Sequence, residues 1–430
     1  MYDVIIVGGG AAGFYGALHM AEAAPTLKIA ILEKGRKFLS KVEISGGGRC
    51  NLTNVISEPS MLAQHYPRGS KELLGPFHIH NSRDTASYFK GHGIGLKTEK
   101  DGRIFPLTND SKTITDFFKN TARMHGIEIQ GNTPVLDIVP PRQTETESEQ
   151  LWQVVSKHQS FSAKYLMIAT GGNSRIWSML GQKGYHIVQP VPSLFSFNIK
   201  DDRLKGLQGI SLNARVKVVR PNHGNRELSI GLKSWSKTKG SLSTEGPLLI
   251  THWGLSGPAI LKLSAWGARE LFDWGYRFRI QINWIPDYHA NSVIHILKNI
   301  KSVDGPKTVF RTQAFDIPKK LWGKLVIASG VQSGHTWAEM SNLNIENLAT
   351  ILCASELEVN GKSTNKEEFV TAGGVDLKQI DFKTFGSKIH PHLYFAGEVL
   401  NIDGITGGFN FQSAWTGSFI AARAIVSHSQ

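Results

Sequence analysis

Apolar and polar positions change rhythm twice along this 430-residue chain. The apolar run Tyr2–Val7 stops at Gly8-Gly9-Gly10, Ala11 to Ala24 carries small residues at helical spacing, and Lys28 to Glu33 returns to an apolar run. Strand, glycine turn, helix and strand in that order predict a βαβ unit. Two more apolar strands are expected, at Thr133 to Val139 and at Lys164 to Gly172, the second again ending in glycines. Between them the acidic string QTETESEQ reads as an exposed hairpin tip.

Pro190 and Pro192 bracket the first change of rhythm. Beyond them, Leu212 to Arg220 and Arg277 to Ile285 alternate apolar and basic residues at period two, the signature of half-buried antiparallel strands. Seven of the ten tryptophans fall in this region: Trp235, Trp253, Trp266, Trp274, Trp284, Trp322 and Trp337. Most are expected in the core, because tryptophan buries a large area. The second change comes near residue 345. Asn344 to Leu357 has helical spacing, a strand and glycine pair follows in EFVTAGGVDL, another strand runs through PHLYFAGEVLNIDG into a loop, and GGFNFQSAWTGSFIAARAIV predicts a C-terminal helix. The expected organisation is an α/β Rossmann-like domain in two parts, residues 1–190 and 346–430, interrupted by a β-rich, partly barrel-like insert, residues 191–345.

Charge sharpens that division. The net charge is +13, and residues 191–345 hold 21 basic against 10 acidic residues, a net of +11; residues 1–190 are +5 and residues 346–430 are −3. A field of that sign attracts polyanions by steering and counterion release. The two cysteines, Cys50 and Cys353, have no metal-type spacing, so no metal centre is expected and a reducing compartment fits. No apolar run approaches the length of a bilayer span, and no secretory signal opens the chain, so the expectation is a soluble, cytoplasmic protein without a membrane partner.

The glycine turn carries the clearest chemistry. Gly8, Gly10 and Gly13 form a G-x-G-x-x-G pattern between a strand and a helix: the first permits a tight turn, the second admits a pyrophosphate, the third lets helix pack on strand. Glu33 ends the second strand twenty residues beyond Gly13, where a carboxylate can accept from ribose hydroxyls. A nicotinamide dehydrogenase needs no distant closing motif. This chain closes with FAGEVLNIDGITGGFNFQSA, in which Glu398 or Asp403 is suited to a ribitol or phosphate region, and the helix after Asn410 can aim its positive end at a flavin ring. The dinucleotide expected is therefore FAD. A third glycine segment, SGGGRCNLTN from Ser45 to Asn54, suits close backbone approach to a ring or phosphate.

Together GGGAAG, SGGGRCNLTN, DGRIFP, THWGLSGPAIL, TAGGVD and FAGEVLNIDGITGGFN resemble, in order and nearly end to end, the bacterial BaiN/RdsA family of NAD(P)/FAD-dependent oxidoreductases. The resemblance implies a discontinuous, glutathione-reductase-like FAD domain. Its cofactor site would draw on Gly8, Gly10, Ala11, Ala12, Gly13, Glu33 and Lys34 from the first βαβ unit, and on Gly48, Arg49 and Cys50 from the third glycine segment. Val135, Thr170 and Gly171 would come from the middle strands, and Gly397, Glu398, Asp403, Gly408, Phe409 and Asn410 from the closing motif. No second G-x-G-x-x-G is present, so NAD(P)H would bind only transiently as electron donor.

The activities the resemblance brings with it are reduction of a conjugated carbonyl in bile-acid-like steroids and reduction of a uracil in large-subunit ribosomal RNA to dihydrouridine; some relatives are labelled amine oxidases. Steroid enone and uracil share one chemistry, hydride to the β carbon and a proton to the α carbon. The basic insert favours ribosomal RNA, or a ribosomal precursor, as partner. A small-molecule reductase or oxidase, and a flavin-bearing RNA-binding assembly factor, are the alternatives. Candidates for the catalytic groups are Cys50 and His252 as proton donors, with buried packing roles as their alternatives, and Arg49, which can hold a phosphate or polarise a carbonyl.

Overall fold

Two largely apolar strands set the centre of the first sheet. Strand β1 (Tyr2–Val7), helix α1 (Ala11–Ala23) and strand β2 (Ile29–Leu32) form the expected βαβ unit, and all four residues of β2 are buried, as in a strand covered on both faces. The computed structural model describes the chain except residues 142–150, 158, 220–241, 313, 364–369 and 430. The acidic string at 143–150, Arg220 and Trp235 therefore lie outside the described residues. The chain divides into two units: Met1–Val191 with Lys366–Gln430, and Pro192–Asn365.

In the first unit α2 (Ser40–Gly48) leads to a small antiparallel sheet of β3 (Thr53–Asn54), β5 (Arg103–Pro106) and β4 (Leu96–Thr98). The main sheet then takes β6 (Glu128–Gln130), β7 (Val135–Val139), β8 (Trp152–Ser156) and β9 (Ser160–Ile168). Its parallel centre runs β6, β2, β1, β9 and Leu393–Phe395, so a strand from near the C-terminus is separated from β1 only by β9. The C-terminal helix Phe409–Ser429 packs along α1. Small residues permit this: a Cβ on Gly16 would sit 3.4 Å from the Ser418 Cβ and 3.3 Å from the Met167 Sδ.

Beneath α1 lies a cluster of rings. The His19 ring centroid is 4.5 Å from that of Tyr15 and 4.2 Å from that of Tyr88, and His80 stacks on Phe419 at 4.2 Å. Burial lowers the pKa of His19 to about 3, helped by the positive charge His80 and His92 would carry, and burial lowers His80 to about 4 against the opposing pull of Asp84. Glu22 stands nearby but bonds Tyr88 and His92. Because both histidines take up protons on unfolding, stability is complete above pH about 6.5 and falls on acidification at about 1.4 kcal/mol per pH unit for each. Urea unfolding at a series of pH values should show that slope, and His19→Phe should flatten it.

The second unit has the period-two alternation of its sequence. Arg277–Asn283 alternates exposed and buried positions, and its partners Ser211–Val219 and Ser355–Asn360 are both antiparallel. The seven-stranded sheet runs Ser355–Asn360, Arg277–Asn283, Ser211–Val219, Ser243–Ile250, Gly254–Ser256, Ser196–Asn198, Lys362–Ser363. Its two edges are joined by the chain itself, since residues 355–363 pass from one edge strand to the other through Gly361, whose carbonyl accepts from the Asn198 N–H. The sheet thereby rolls toward a barrel. Trp284, Trp322 and Trp337 are core residues, whereas Trp253 and Trp266 are exposed.

The helical spacing read over Asn344 to Leu357 covers two elements, helix Asn342–Ala354 and strand Ser355–Asn360. Both pack in the second unit, so that unit continues to Asn365 rather than ending near residue 345. The cause is register: Leu357 lies opposite Ile280, a pairing that local periodicity does not record.

Candidate functional site

The first glycine turn is built as its spacing requires. Gly8 has φ +116, and a Cβ there would fall 2.4 Å from the Ala169 carbonyl oxygen at the end of β9. A Cβ on Gly13 would fall 2.0 Å from the Gly8 oxygen. Gly10 differs: its Cβ would meet nothing within 4 Å. Helix α1 starts directly after it with no side-chain cap, so the first-turn N–H groups of Ala11 and Ala12 stand at an open approach. Open space before an uncapped helix start fits a dinucleotide pyrophosphate. The Glu33 carboxylate accepts from the N–H of Gly9 at 2.8 Å and of Gly35 at 3.0 Å, which leaves lone pairs on both oxygens. Lys34 points to solvent.

The far end of the chain meets this turn. A Cβ on Gly397 would lie 3.4 Å from the Ala12 Cβ, and one on Gly171 would lie 3.8 Å from Oε2 of Glu398. Glu398 accepts from Lys41 Nζ at 2.6 Å and from the Thr371 N–H at 2.8 Å, so α2, strand Val370–Val375 and the closing motif converge on one carboxylate. Lys41 was not among the expected residues, and nothing in its local sequence marks it. The glycine turn lies past the C-terminal ends of the parallel strands β1 and β9, where open α/β sheets bind ligands. Thr170 follows β9 at the same end, and Val135 is a buried residue opening β7.

The third glycine segment breaks the helical backbone, with Ser45 extended at φ −60° and ψ 148°. Within α2, Gly46 and Gly47 take left-handed φ of 58° and 70°, followed by Gly48 at 81° and Cys50 at 59°. Gly47 and Gly48 have no neighbour within reach of a Cβ. Arg49 is anchored: Nη1 donates to Glu99 at 2.6 Å, and the guanidinium lies 4.2 Å above the Phe105 ring. Cys50 is fully buried, and burial pushes its thiol up to about 12. A thiol so enclosed is no proton donor to an approaching substrate, which corrects that expectation and leaves it a packing residue. Cys50→Ala should accordingly retain turnover close to wild type in a single-turnover reduction assay.

Asp403 is also corrected. Its carboxylate has no exposure and is gripped bidentately by Arg68, with Nε donating to Oδ1 at 2.5 Å, so it pins the closing loop instead of facing a ribitol or phosphate. Asn410 bonds both the N–H and the carbonyl of Gly404, at 2.9 and 2.8 Å, and locks the same loop. Phe409 is buried and stacked on His65. Gly408 leaves no room for a side chain, since a Cβ would fall 2.6 Å from the Thr53 backbone. Thr53 Oγ1 donates to Gln412 at 2.6 Å and Asn54 Nδ2 to the Gly407 carbonyl at 3.0 Å, so the third glycine segment and the closing motif brace each other. His252 belongs to the second unit, exposed at a hairpin tip. Among the described residues there is no cluster of three or more metal-ligating side chains, and no helix is long and apolar enough to cross a membrane.

Glycine turn, parallel sheet and antiparallel insert together define a Rossmann-type α/β protein with a β-rich second unit. The chain belongs to the HI0933-like family: the model described as HI0933-like protein Rossmann domain matches residues 2–424. It is similar to proteins named ribosomal RNA dihydrouridine synthase from Haemophilus influenzae, 27% identical over 98% of each chain, and from Escherichia coli K12, 25% identical over 99% of this chain and 98% of that one. It is also 24% identical, over 99% of each chain, to a 3-dehydro-bile acid delta(4,6)-reductase from Clostridium scindens.

Proposed function

We propose that this chain is an FAD-dependent reductase of double bonds conjugated to a carbonyl, acting on a uridine of large-subunit ribosomal RNA to give dihydrouridine, with NAD(P)H as a transient electron donor. The observation that carries the reading is the open approach at Gly10, faced by the uncapped start of α1 and closed by Gly397 against Ala12. Bound there and reduced by the nicotinamide donor, FAD would supply a hydride for the β carbon of the substrate.

The chain's own residues bind and orient. The N–H groups of Ala11 and Ala12 would hold the pyrophosphate, the lone pairs left on Glu33 the adenosine ribose, and Glu398, fixed by Lys41 and the Thr371 N–H, the ribitol. Cys50 is enclosed and Arg49 is engaged by Glu99 and Phe105, so neither is placed to deliver the proton. The names of two relatives and the net +11 of residues 191–345 support an RNA substrate. The test is a nuclease-fragment mass map of ribosomal RNA from a strain lacking the gene. One uridine-containing fragment should become lighter by two hydrogen atoms, and an unchanged map rules out the RNA substrate.

A second reading, reduction of a steroid-like enone, is favoured by the relative from Clostridium scindens. It expects anaerobically reduced protein to be reoxidised rapidly by a free enone with no RNA present.

A further inference from the structure

The second unit carries a polar cavity that the reading above leaves unused. Strands Ser243–Ile250 and Gly254–Ser256 form a tight hairpin, closed by the Thr251 N–H donating to the Gly254 carbonyl at 2.8 Å. The tip is seated against the end of Ser196–Asn198: the Ile199 N–H donates to the Trp253 carbonyl at 2.8 Å, and a Cβ on Gly254 would fall 2.3 Å from the Phe197 oxygen. Opposite the tip, the loop after Ile199 is tied down by the buried Leu204 and Leu207 and by the bidentate Arg203–Asp201 pair, at 2.8 and 2.7 Å. Tip and loop border an open, shallow pocket of about 340 Å³.

Two features of this hairpin tip and its cavity point to one ligand class. Trp253, between the lining residues His252 and Gly254, is 61% exposed, a large ring left in water on a rigid tip, while Trp284, Trp322 and Trp337 of the same unit are buried. Lys200 and Lys205 are exposed on its wall; the neighbouring Asp201 is spent on Arg203, which leaves Asp202 as the opposing charge. An exposed indole and two ammonium groups match a base and backbone phosphates.

We infer that the Thr251–Gly254 hairpin tip and the Lys200–Gln208 loop form a single-stranded RNA subsite, with Trp253 as the stacking platform for an unpaired base and Lys200 and Lys205 holding phosphates. The inference rests on the RNA reading and adds to it where the strand is held. Full-length wild type, Trp253→Ala, Trp253→Phe and a Lys200→Ala/Lys205→Ala double variant are titrated with a fluorescein-labelled oligouridylate by anisotropy, between about 50 and 200 mM salt. Trp253→Ala should weaken binding at least about fivefold with its melting temperature unchanged, because the lost ring is solvent-exposed, and Trp253→Phe should restore most of it. The double variant should reduce the slope of log affinity against log salt by about 0.7 for each phosphate that is no longer neutralised. Wild-type binding by both Trp253→Ala and the double variant overturns the subsite while the RNA reading stands. No binding of RNA by wild type overturns both.

Discussion

Gly13→Ala should yield no folded, yellow protein, whereas Gly10→Ala should fold normally and lose affinity for FAD. The two glycines are three residues apart in one turn, yet their surroundings are opposite. A methyl on Gly13 lies 2.0 Å from a backbone oxygen, where no rotamer change relieves it, so α1 must lift from β1 at a cost of about 3 kcal/mol or more. At Gly10 φ is −99°, no atom lies within 4 Å, and alanine at a helix N-cap costs under about 1 kcal/mol relative to glycine. The added methyl then stands where the pyrophosphate is proposed to pass, and affinity should drop at least about tenfold. Thermal melts without cofactor and visible flavin absorbance after reconstitution separate the two effects. A Gly10→Ala protein that binds FAD as tightly as wild type would remove the phosphate from this turn.

Arg68→Ala is the second change with a large expected effect, about 3–5 kcal/mol of stability, read as a lower denaturant midpoint. Asp403 has no exposure, and losing its bidentate guanidinium leaves a carboxylate in the interior with its strongest partner gone. The apolar pair Arg68→Met with Asp403→Leu should recover more than half of that loss, since removing both charges removes the desolvation cost with them. If the double variant is as unstable as the single, the carboxylate has a role beyond the pair.

The parts of the fold that were legible in the sequence are those written in local periodicity and glycine. The first βαβ unit, the alternating strands of the insert and the C-terminal helix each follow from a run of adjacent residues. What local pattern cannot carry is who meets whom. Asp403 has the residue type and position of a cofactor ligand, and only a partner 335 positions away, Arg68, makes it a structural pin. Cys50 looks reactive inside a glycine motif until the fold encloses it. Leu357 continues a helical pattern by spacing and a strand by its register with Ile280. Lys41 reaches Glu398 across 357 positions, with no local signal to announce it.

The packing of Phe409–Ser429 along α1 also dictates a timetable for biosynthesis. The small-residue face of α1 leaves the ribosome hundreds of codons before the helix that covers it, and the strand Leu393–Phe395 that extends the parallel sheet beyond β9 is equally late. The insert closes on itself at Lys362–Ser363 and can mature while translation continues, but the nucleotide fold must wait with an apolar groove open to solvent. Nascent chains stalled before codon 409 should therefore hold a protease-resistant barrel beside a protease-sensitive amino-terminal segment, and depend on holding chaperones until the last turns are made.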